Sequence, residues 1–220
     1  MLERKVQTIH TGPRLAGYEH SHPRMGGHAG AKARRAITRV VLLKHHDLFD
    51  EKAIARRVEQ LAQAIAKDLP APTPLMIGLL TGSFVFLADL VRALGRLGVE
   101  PQVDFVAVSH YGLTTESGGV VQIHKDTSFD LSGRSVLLVD DILDSGRTLR
   151  TVRDRFVERG PSWLRICVLL DKPSRRVVPV SADYIGFEVP DVWIIGYGLD
   201  AGGEGRALPY VAAVEREGER

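Results

Sequence analysis

Apolar positions along the chain follow a helical spacing first and then change to short continuous runs. Ile54, Val58, Leu61 and Ile65 recur at intervals of three or four residues, which predicts an amphipathic helix. Asp50 stands where an N-cap is expected, and Pro70 follows where the helix would end. The sequence therefore predicts that ordered structure begins near residue 50 with a helix that covers a core.

Beyond this helix, continuous apolar runs alternate with segments of helical spacing. Predicted strands cover Leu75–Leu80, Gln102–Ser109, Ser135–Val139 and Leu164–Leu170, and predicted helices cover about 84–97 and 148–158. This alternation is typical of an α/β fold with a mostly parallel sheet covered by helices on both faces. After Asp171 the apolar runs "DYIGFEV" and "VWIIGYG" are short, and they predict a small accessory subdomain.

Residues 1–36 are rich in Gly, His, Pro and Arg and show no periodicity, which predicts a mobile arm ahead of one domain over 37–220. Residues 1–39 hold eight basic and two acidic residues and therefore carry a net charge of +6. Residues 40–220 carry −4, which gives the total of +2. Aromatic residues are not interleaved with these charges, so a solvated tail is favoured over a nucleic-acid partner. The histidine spacings in the arm match no standard metal site.

Composition excludes several classes of protein. The 220 residues contain no apolar run long enough to span a membrane and no recognisable export signal, so we expect a cytoplasmic protein with no membrane partner. The single cysteine, Cys167, lies in the apolar run "ICVLL" and is predicted to be a core residue.

The segment "VLLVDDILDSGRTL" combines carboxylates with an anion-binding turn. Asp140 and Asp141 are predicted at the end of a strand, and Ser145 to Thr148 at the start of a helix, where backbone amides bind anions. It matches neither a Walker A loop nor a dinucleotide fingerprint. A phosphorylated ribose would fit both parts of the segment. The turn would bind its phosphate, and the carboxylates would accept hydrogen bonds from its hydroxyls. Asp144, inside the turn, is a candidate proton acceptor.

This segment resembles the phosphoribosyl-diphosphate (PRPP) motif of the type I phosphoribosyltransferases, and its surroundings resemble the hypoxanthine/guanine branch. The similar segments span about residues 38–214: "GLLTGSFVFLADLVRAL", "DFVAVSHYG", "LLDKPSRR", "FEVPDVWIIGYGLD" and "LPY". The resemblance implies the type I phosphoribosyltransferase fold, with a hood built from the segment before the core and from about 172–214. It also implies a homo-oligomer, a dimer or tetramer. The implied activity is Mg²⁺-dependent transfer from PRPP to hypoxanthine or guanine, forming IMP or GMP and pyrophosphate in purine salvage.

The resemblance also implies residue roles around PRPP. Asp140 and Asp141 would hold the ribose hydroxyls and, with Asp200, lie at the Mg²⁺ site, while Asp144 assists proton transfer. The 5′-phosphate would be bound by Ser145, Gly146, Arg147 and Thr148, and pyrophosphate by Leu80, Thr81, Gly82 and Arg206, with a non-proline cis peptide bond in the Leu80–Gly82 loop. The chain departs from the family at Asp140, usually Glu, at Thr81, often Lys or Arg, and in the glycine-rich segment 201–205.

Purine recognition is implied for three further residues. Lys172 would donate to the exocyclic oxygen of a 6-oxopurine, Trp193 would stack on the base, and the backbone of Ile194 would read its edge. Residues 109–125 would form a mobile lid that contributes Tyr111 to catalysis, and His110 departs from the family's serine there.

Two other functions stay open at this point. One is a PRPP-sensing regulator of the same fold, in which the basic arm would bind nucleic acid. An adenine-specific transferase is disfavoured by Lys172, because an ammonium group only donates hydrogen bonds. The sequence does not rank hypoxanthine, guanine and xanthine.

Overall fold

The computed structural model describes residues 45–111 and 120–214, with the backbone alone for His110, Tyr111 and Val120. Its strands are β1 (His45–Phe49), β2 (Leu75–Leu80), β3 (Gln102–Tyr111), β4 (Val120–Lys125), β5 (Ser135–Leu143), β6 (Trp163–Asp171), β7 (Tyr184–Glu188), β8 (Trp193–Ile195) and β9 (Val211–Val214). Its helices are α1 (Glu51–Asp68), α2 (Phe84–Arg96) and α3 (Arg147–Val157), and a 3-10 turn covers Pro173–Arg175. The predicted arm lies outside the described residues.

The main sheet has six strands in the order β4-β3-β2-β5-β6-β7. All neighbours are parallel except β3 and β4, which are antiparallel. The predicted α/β class, a mostly parallel sheet flanked by helices, is confirmed.

Helix α1 forms where the apolar spacing predicts it. The Asp50 side chain accepts a hydrogen bond from the Ala53 amide at 2.6 Å, which satisfies one of the free donors of the first turn. Ile54, Val58, Leu61 and Ile65 are all buried. The predicted N-cap and apolar face are both confirmed.

The central strands are buried on both faces because helices cover both sides of the sheet. Alternate residues of β2 divide between two cores: Met76 packs with α1 and α2, whereas Leu75 and Ile77 pack with α3. Cys167 of β6 is fully buried in the first core, as predicted. This double burial explains why these strands read as continuous apolar runs.

Strand β5 is longer than the sequence pattern predicts, so Asp140 and Asp141 lie inside it and not at its end. Its pairing with β2 stops at Val139, whereas its pairing with β6 continues to Leu143. Backbone hydrogen bonds to β6 therefore keep the acidic segment extended. The two carboxylates come at the point where β2 and β5 separate.

A second sheet of three antiparallel strands has the order β1-β9-β8. It joins the segment before the core to the last described segment, and we call it the hood. Strand β7, predicted to belong to the accessory subdomain, instead pairs in parallel with β6 at the edge of the main sheet. None of the described helices is long and apolar enough to cross a membrane.

Candidate active site

A cavity of about 400 Å³ opens at the carboxyl ends of β2 and β5, in front of the first turn of α3. Its lining includes the predicted proton acceptor Asp144 and most of the residues predicted to bind PRPP: Leu80, Thr81, Gly82, Asp140, Asp141, Ser145, Gly146 and Thr148. Two segments that are far apart in sequence therefore meet at one edge of the sheet. This is the edge where ligands bind in parallel α/β folds.

The acid pair forms the floor of this cavity. Asp140 is buried, and one of its carboxylate oxygens accepts a hydrogen bond from the Asp141 amide at 3.0 Å. Burial raises the pKa of Asp140, and the neighbouring charge of Asp141 raises it further. Burial also raises the pKa of Asp141. Such a pair is stabilised by any ligand that brings hydrogen-bond donors or positive charge to it.

The anion-binding turn lies beside the acids, at the N-terminus of α3. Gly146 has a φ of 85°, and a side chain at this position would overlap Val180, so glycine is required on both counts. The helix has no side-chain cap at Gly146. Ser145, Gly146 and Thr148 line the same cavity as the acids, at the end of the helix where backbone amides favour anions.

The loop after β2 brings the backbone close to the acid pair. The peptide bond between Leu80 and Thr81 is cis, as the family resemblance implies. A side chain at Gly82 would overlap the Asp141 carboxylate, so the chain can approach this closely only at glycine. The buried Ser83 hydroxyl donates to the Leu79 carbonyl at 2.5 Å and closes the turn into α2.

Two arginines that were not predicted from the sequence contact Asp144, one at its side chain and one at its backbone. Arg175 Nε lies 3.3 Å from Asp144 Oδ1 and 3.7 Å from Asp191 Oδ1. Arg176 is mostly buried, forms an ion pair with Asp171 and donates to the backbone carbonyls of Leu143 and Asp144. Arg176 therefore fixes the backbone of the turn that carries Asp144.

Lys172 contacts the residue that precedes Trp193, where hood strand β8 begins. Lys172 is only 7% exposed, and its Nζ donates to the Val192 carbonyl at 2.7 Å. Trp193 follows Val192 and is 48% exposed, which is unusual for so large an apolar side chain. Ile194 is buried within β8. Neither Lys172 nor Trp193 is a routine surface or core residue, and their placement suits a base-binding platform.

Arg206 and Asp200 are not among the residues that line this cavity. Arg206 forms an ion pair with Asp200, donates to the Gly198 carbonyl at 2.5 Å, and lines a second cavity of about 380 Å³ with Tyr197. Its charge lowers the pKa of Asp141, so it acts on the acid pair through space.

The predicted metal ligands Asp140, Asp141 and Asp200 do not form one group. Within 45–111 and 120–214, no three His, Cys, Asp or Glu side chains are arranged to hold a metal ion. Asp200 is occupied by Arg206 and by the Gly203 amide, 2.6 Å away. The two adjacent carboxylates that remain fit Mg²⁺, which commonly takes one or two protein carboxylates and completes its shell with water and substrate phosphates.

Of the remaining predicted site residues, Arg147 is described in full, whereas Tyr111 is described by its backbone alone. Arg147 begins α3 beside the turn. Tyr111 ends β3, and its side chain and residues 112–119 of the predicted lid lie outside the described part of the chain. Backbone pairing of β3 with β4 brings the two ends of the lid segment together.

The missed residues leave different signals in the sequence. Arg175 and Arg176 belong to the segment "LLDKPSRR", in which only Lys172 was predicted to have a role. Gly198 and Tyr197 stand in "GYGLD", whose two glycines signal a tight turn without showing what it packs against. Arginine roles that depend on backbone carbonyls far along the chain have no local signal.

Comparisons with known proteins agree with this geometry. The phosphoribosyl transferase domain family matches residues 45–201. A hypoxanthine-guanine phosphoribosyltransferase of Aquifex aeolicus is 47% identical over 169 residues, which cover 76% of this chain and 93% of that protein. A crystal structure of the Bacillus anthracis hypoxanthine-guanine phosphoribosyltransferase, with HEPES in the active site, aligns with a TM-score of 0.72 and 38% identity over 79% of this chain and 98% of the other.

A hypoxanthine phosphoribosyltransferase of Trypanosoma cruzi, in complex with the product IMP, aligns with a TM-score of 0.73 and 38% identity over 80% of this chain and 97% of the other. The matched residues include the acid pair, the anion-binding turn and the loop after β2, which together form the cavity. The chain belongs to the phosphoribosyl transferase domain family, and it is a transferase.

Proposed function

We propose that this enzyme transfers the 5-phosphoribosyl group of PRPP to hypoxanthine or guanine and releases pyrophosphate. The observation that carries the proposal is the shared cavity, which is lined by a buried acid pair and by the start of a helix. The amide of Lys172 donates to the carbonyl of Leu143, another lining residue, at 3.0 Å. The names of the Aquifex aeolicus and Bacillus anthracis relatives support the same activity.

The ribose and its phosphate would occupy the cavity in one orientation. The ribose hydroxyls would donate to Asp140 and Asp141, and these donors would offset the burial that raises the pKa of both carboxyl groups. The 5′-phosphate would accept hydrogen bonds from the first amides of α3 and from Ser145 and Thr148. The two acids and the turn at the start of α3 would therefore contact opposite ends of one ligand.

Magnesium would bind with the substrate rather than in a preformed protein cage. Asp140 and Asp141 would contribute oxygens on the ribose side, and the diphosphate would supply others. When bound, the ion would neutralise the negative charge that develops on the departing pyrophosphate.

The chemical step is a substitution at ribose C1. A purine nitrogen forms the new bond to C1, the bond from C1 to the pyrophosphate oxygen breaks, and the electron pair leaves with that oxygen. The proton lost by the purine is taken up by Asp144, which lies at the cavity rim on a turn held by Arg176. Arg175, 3.3 Å from Asp144, orients this carboxylate before the base arrives.

Lys172 and Trp193 would select the base. An ammonium group donates and never accepts hydrogen bonds, so Lys172 suits the 6-oxo group of hypoxanthine or guanine and not the amino group of adenine. Lys172 Nζ donates to the Val192 carbonyl, and the next residue, the half-exposed Trp193, would offer a stacking surface to the base.

The proposal is tested by measuring pyrophosphate release from PRPP and Mg²⁺ with hypoxanthine, guanine, xanthine and adenine in parallel. We expect release with hypoxanthine or guanine, formation of IMP or GMP, and little or none with adenine. Absence of product with all three 6-oxopurines would refute the proposed activity. Equal rates with adenine would refute the assigned role of Lys172.

A further inference from the structure

A tight turn at the end of hood strand β8 packs directly on the loop that closes the cavity. Gly196, Tyr197 and Gly198 all have positive φ values, of 99°, 48° and 103°. Tyr197 carries a side chain in a left-handed conformation that glycine adopts more readily. A neighbouring contact must therefore hold Tyr197 in place.

That contact is a hydrogen bond to helix α2. The Tyr197 ring is buried, and its hydroxyl donates to Asp89 Oδ2 at 2.5 Å. Burial, followed by the Asp89 carboxylate, raises the pKa of the Tyr197 hydroxyl, so it remains a donor throughout the working pH range. Helix α2 begins at Phe84, directly after the loop of Thr81, Gly82 and Ser83.

The turn meets this loop at two glycines. A side chain at Gly198 would overlap the Gly82 carbonyl oxygen, and a side chain at Gly82 would overlap the Asp141 carboxylate. The backbones of Gly198 and Gly82 and the Asp141 carboxylate are therefore stacked in direct contact. A shift of the hood turn has to move the loop, the carboxylate, or both.

The far side of the turn is held by the last loop of the hood. The Tyr197 amide donates to the Leu208 carbonyl at 2.8 Å, and the Gly198 amide donates to the Arg206 carbonyl at 3.0 Å. The Arg206 side chain also donates to the Gly198 carbonyl. The Tyr197 to Asp89 hydrogen bond is thus a direct side-chain link between this assembly and α2.

We infer that Tyr197 is a positioning residue for the pyrophosphate side of the active site. Its bond to Asp89 holds Gly198 against Gly82, and Gly82 in turn sets the position of the loop and of the Asp141 carboxylate. The inference rests on the proposed function, because PRPP and pyrophosphate are the ligands that this loop would bind.

The test compares Tyr197→Phe with a matched control, Tyr184→Phe, in the full-length protein. Tyr184 is similarly buried and donates to Asp68 Oδ2 at 2.9 Å, on β7, away from the cavity. Each variant loses one hydroxyl that donates to a carboxylate, so their melting temperatures should fall by similar amounts. Only Tyr197→Phe should raise KM for PRPP, by about 3–10-fold as expected for one lost hydrogen bond. KM for hypoxanthine should stay within about 2-fold.

Asp89→Ala provides a second route to the same loss. It should raise KM for PRPP as Tyr197→Phe does, and the double variant should show no further increase in KM, because both changes remove the hydrogen bond between Tyr197 and Asp89. Asp89→Ala also removes an ion pair with the exposed side chain of Arg92 on the same helix. Equal effects of Tyr197→Phe and Tyr184→Phe on KM for PRPP would overturn the inference. A parallel rise in KM for both substrates would also overturn it, since that pattern indicates general loosening.

Direct binding of inorganic pyrophosphate with Mg²⁺ separates this inference from the proposed function. Calorimetric titration should show weaker binding to Tyr197→Phe than to the wild type and to Tyr184→Phe. If no purine is converted but this difference is found, the proposed function fails and the positioning role stands. If purine is converted and pyrophosphate binds equally to all three proteins, the positioning role fails.

Discussion

Asp140 lies buried against a second carboxylate, and both its burial and this neighbour disfavour its charged form. Asparagine has nearly the same shape and carries no charge. We expect Asp140→Asn to raise the free energy of unfolding at pH 8 by about 1 kcal/mol or more, which is roughly 2–4 °C in melting temperature. KM for PRPP should rise at least about 10-fold, because a charge-assisted acceptor for the ribose is lost. Thermal unfolding and initial rates measure the two effects.

The pH dependence of this stability gain has a definite sign. A carboxyl group whose pKa is raised by folding favours the folded state when protonated, and this contribution is lost as pH rises through the folded-state pKa. The gain in Asp140→Asn should therefore grow from pH 5 to pH 8. Asp104→Asn is the control, which should instead destabilise the fold: although burial opposes it, hydrogen bonds from Lys125 and Thr127 hold the pKa of Asp104 well below its usual range. Asp104 is ionised in both states from pH 5 to pH 8, so this loss of stability should be the same at both pH values. A gain that shrinks with rising pH would contradict the assignment.

Asp144 can be tested separately from the acid pair, because it lies at the cavity rim and is partly exposed. Asp144→Asn keeps the shape and removes the proton acceptor. We expect kcat to fall by at least about 10-fold, since general bases typically contribute 10²–10⁴. KM for PRPP should change little, and an unchanged kcat would remove Asp144 from the proton-transfer step.

For single residues, the sequence predicts those that would contact a ligand better than those that hold the ligand-binding residues in place. Asp140, Asp141 and the Ser145–Thr148 turn are adjacent in sequence, so local spacing alone brings them to one cavity edge. Arg176 acts through carbonyls of Leu143 and Asp144, more than thirty residues earlier. A backbone carbonyl is present at every position, so no residue pattern marks which ones an arginine will reach.

Among the elements, those with a strong apolar period were predicted within a few residues, and α1 shows why. Its apolar stripe, its Asp50 cap and its end before Pro70 all favour the same helix. Strand β5 was predicted too short because its last residues, including Asp140 and Asp141, are polar. Their extended conformation depends on pairing with β6, which is a tertiary contact. The pairing of β7 with the main sheet was missed for the same reason.

The hood shares one of the two hydrophobic cores with the main sheet. Ile194, Tyr197 and Leu199 from the hood side share a hydrophobic cluster with Ile54 of α1 and Phe86 of α2. Removal of either part would expose apolar surface of the other. The cavity is bounded by the main sheet and by a loop that the hood turn contacts, so a ligand bound there stabilises the whole molecule.

This shared core leads to a prediction for the complete chain. We expect a single thermal unfolding transition, raised by PRPP with Mg²⁺ because the ligand binds only the folded state. At 100 times its Kd a ligand contributes about 2.7 kcal/mol, which corresponds to roughly 5–11 °C for a domain of this size. Scanning calorimetry with increasing PRPP measures the shift, and Asp140→Asn, which weakens ribose binding, should show a much smaller one. Two separate transitions, or a shift confined to one of them, would show that hood and sheet unfold independently.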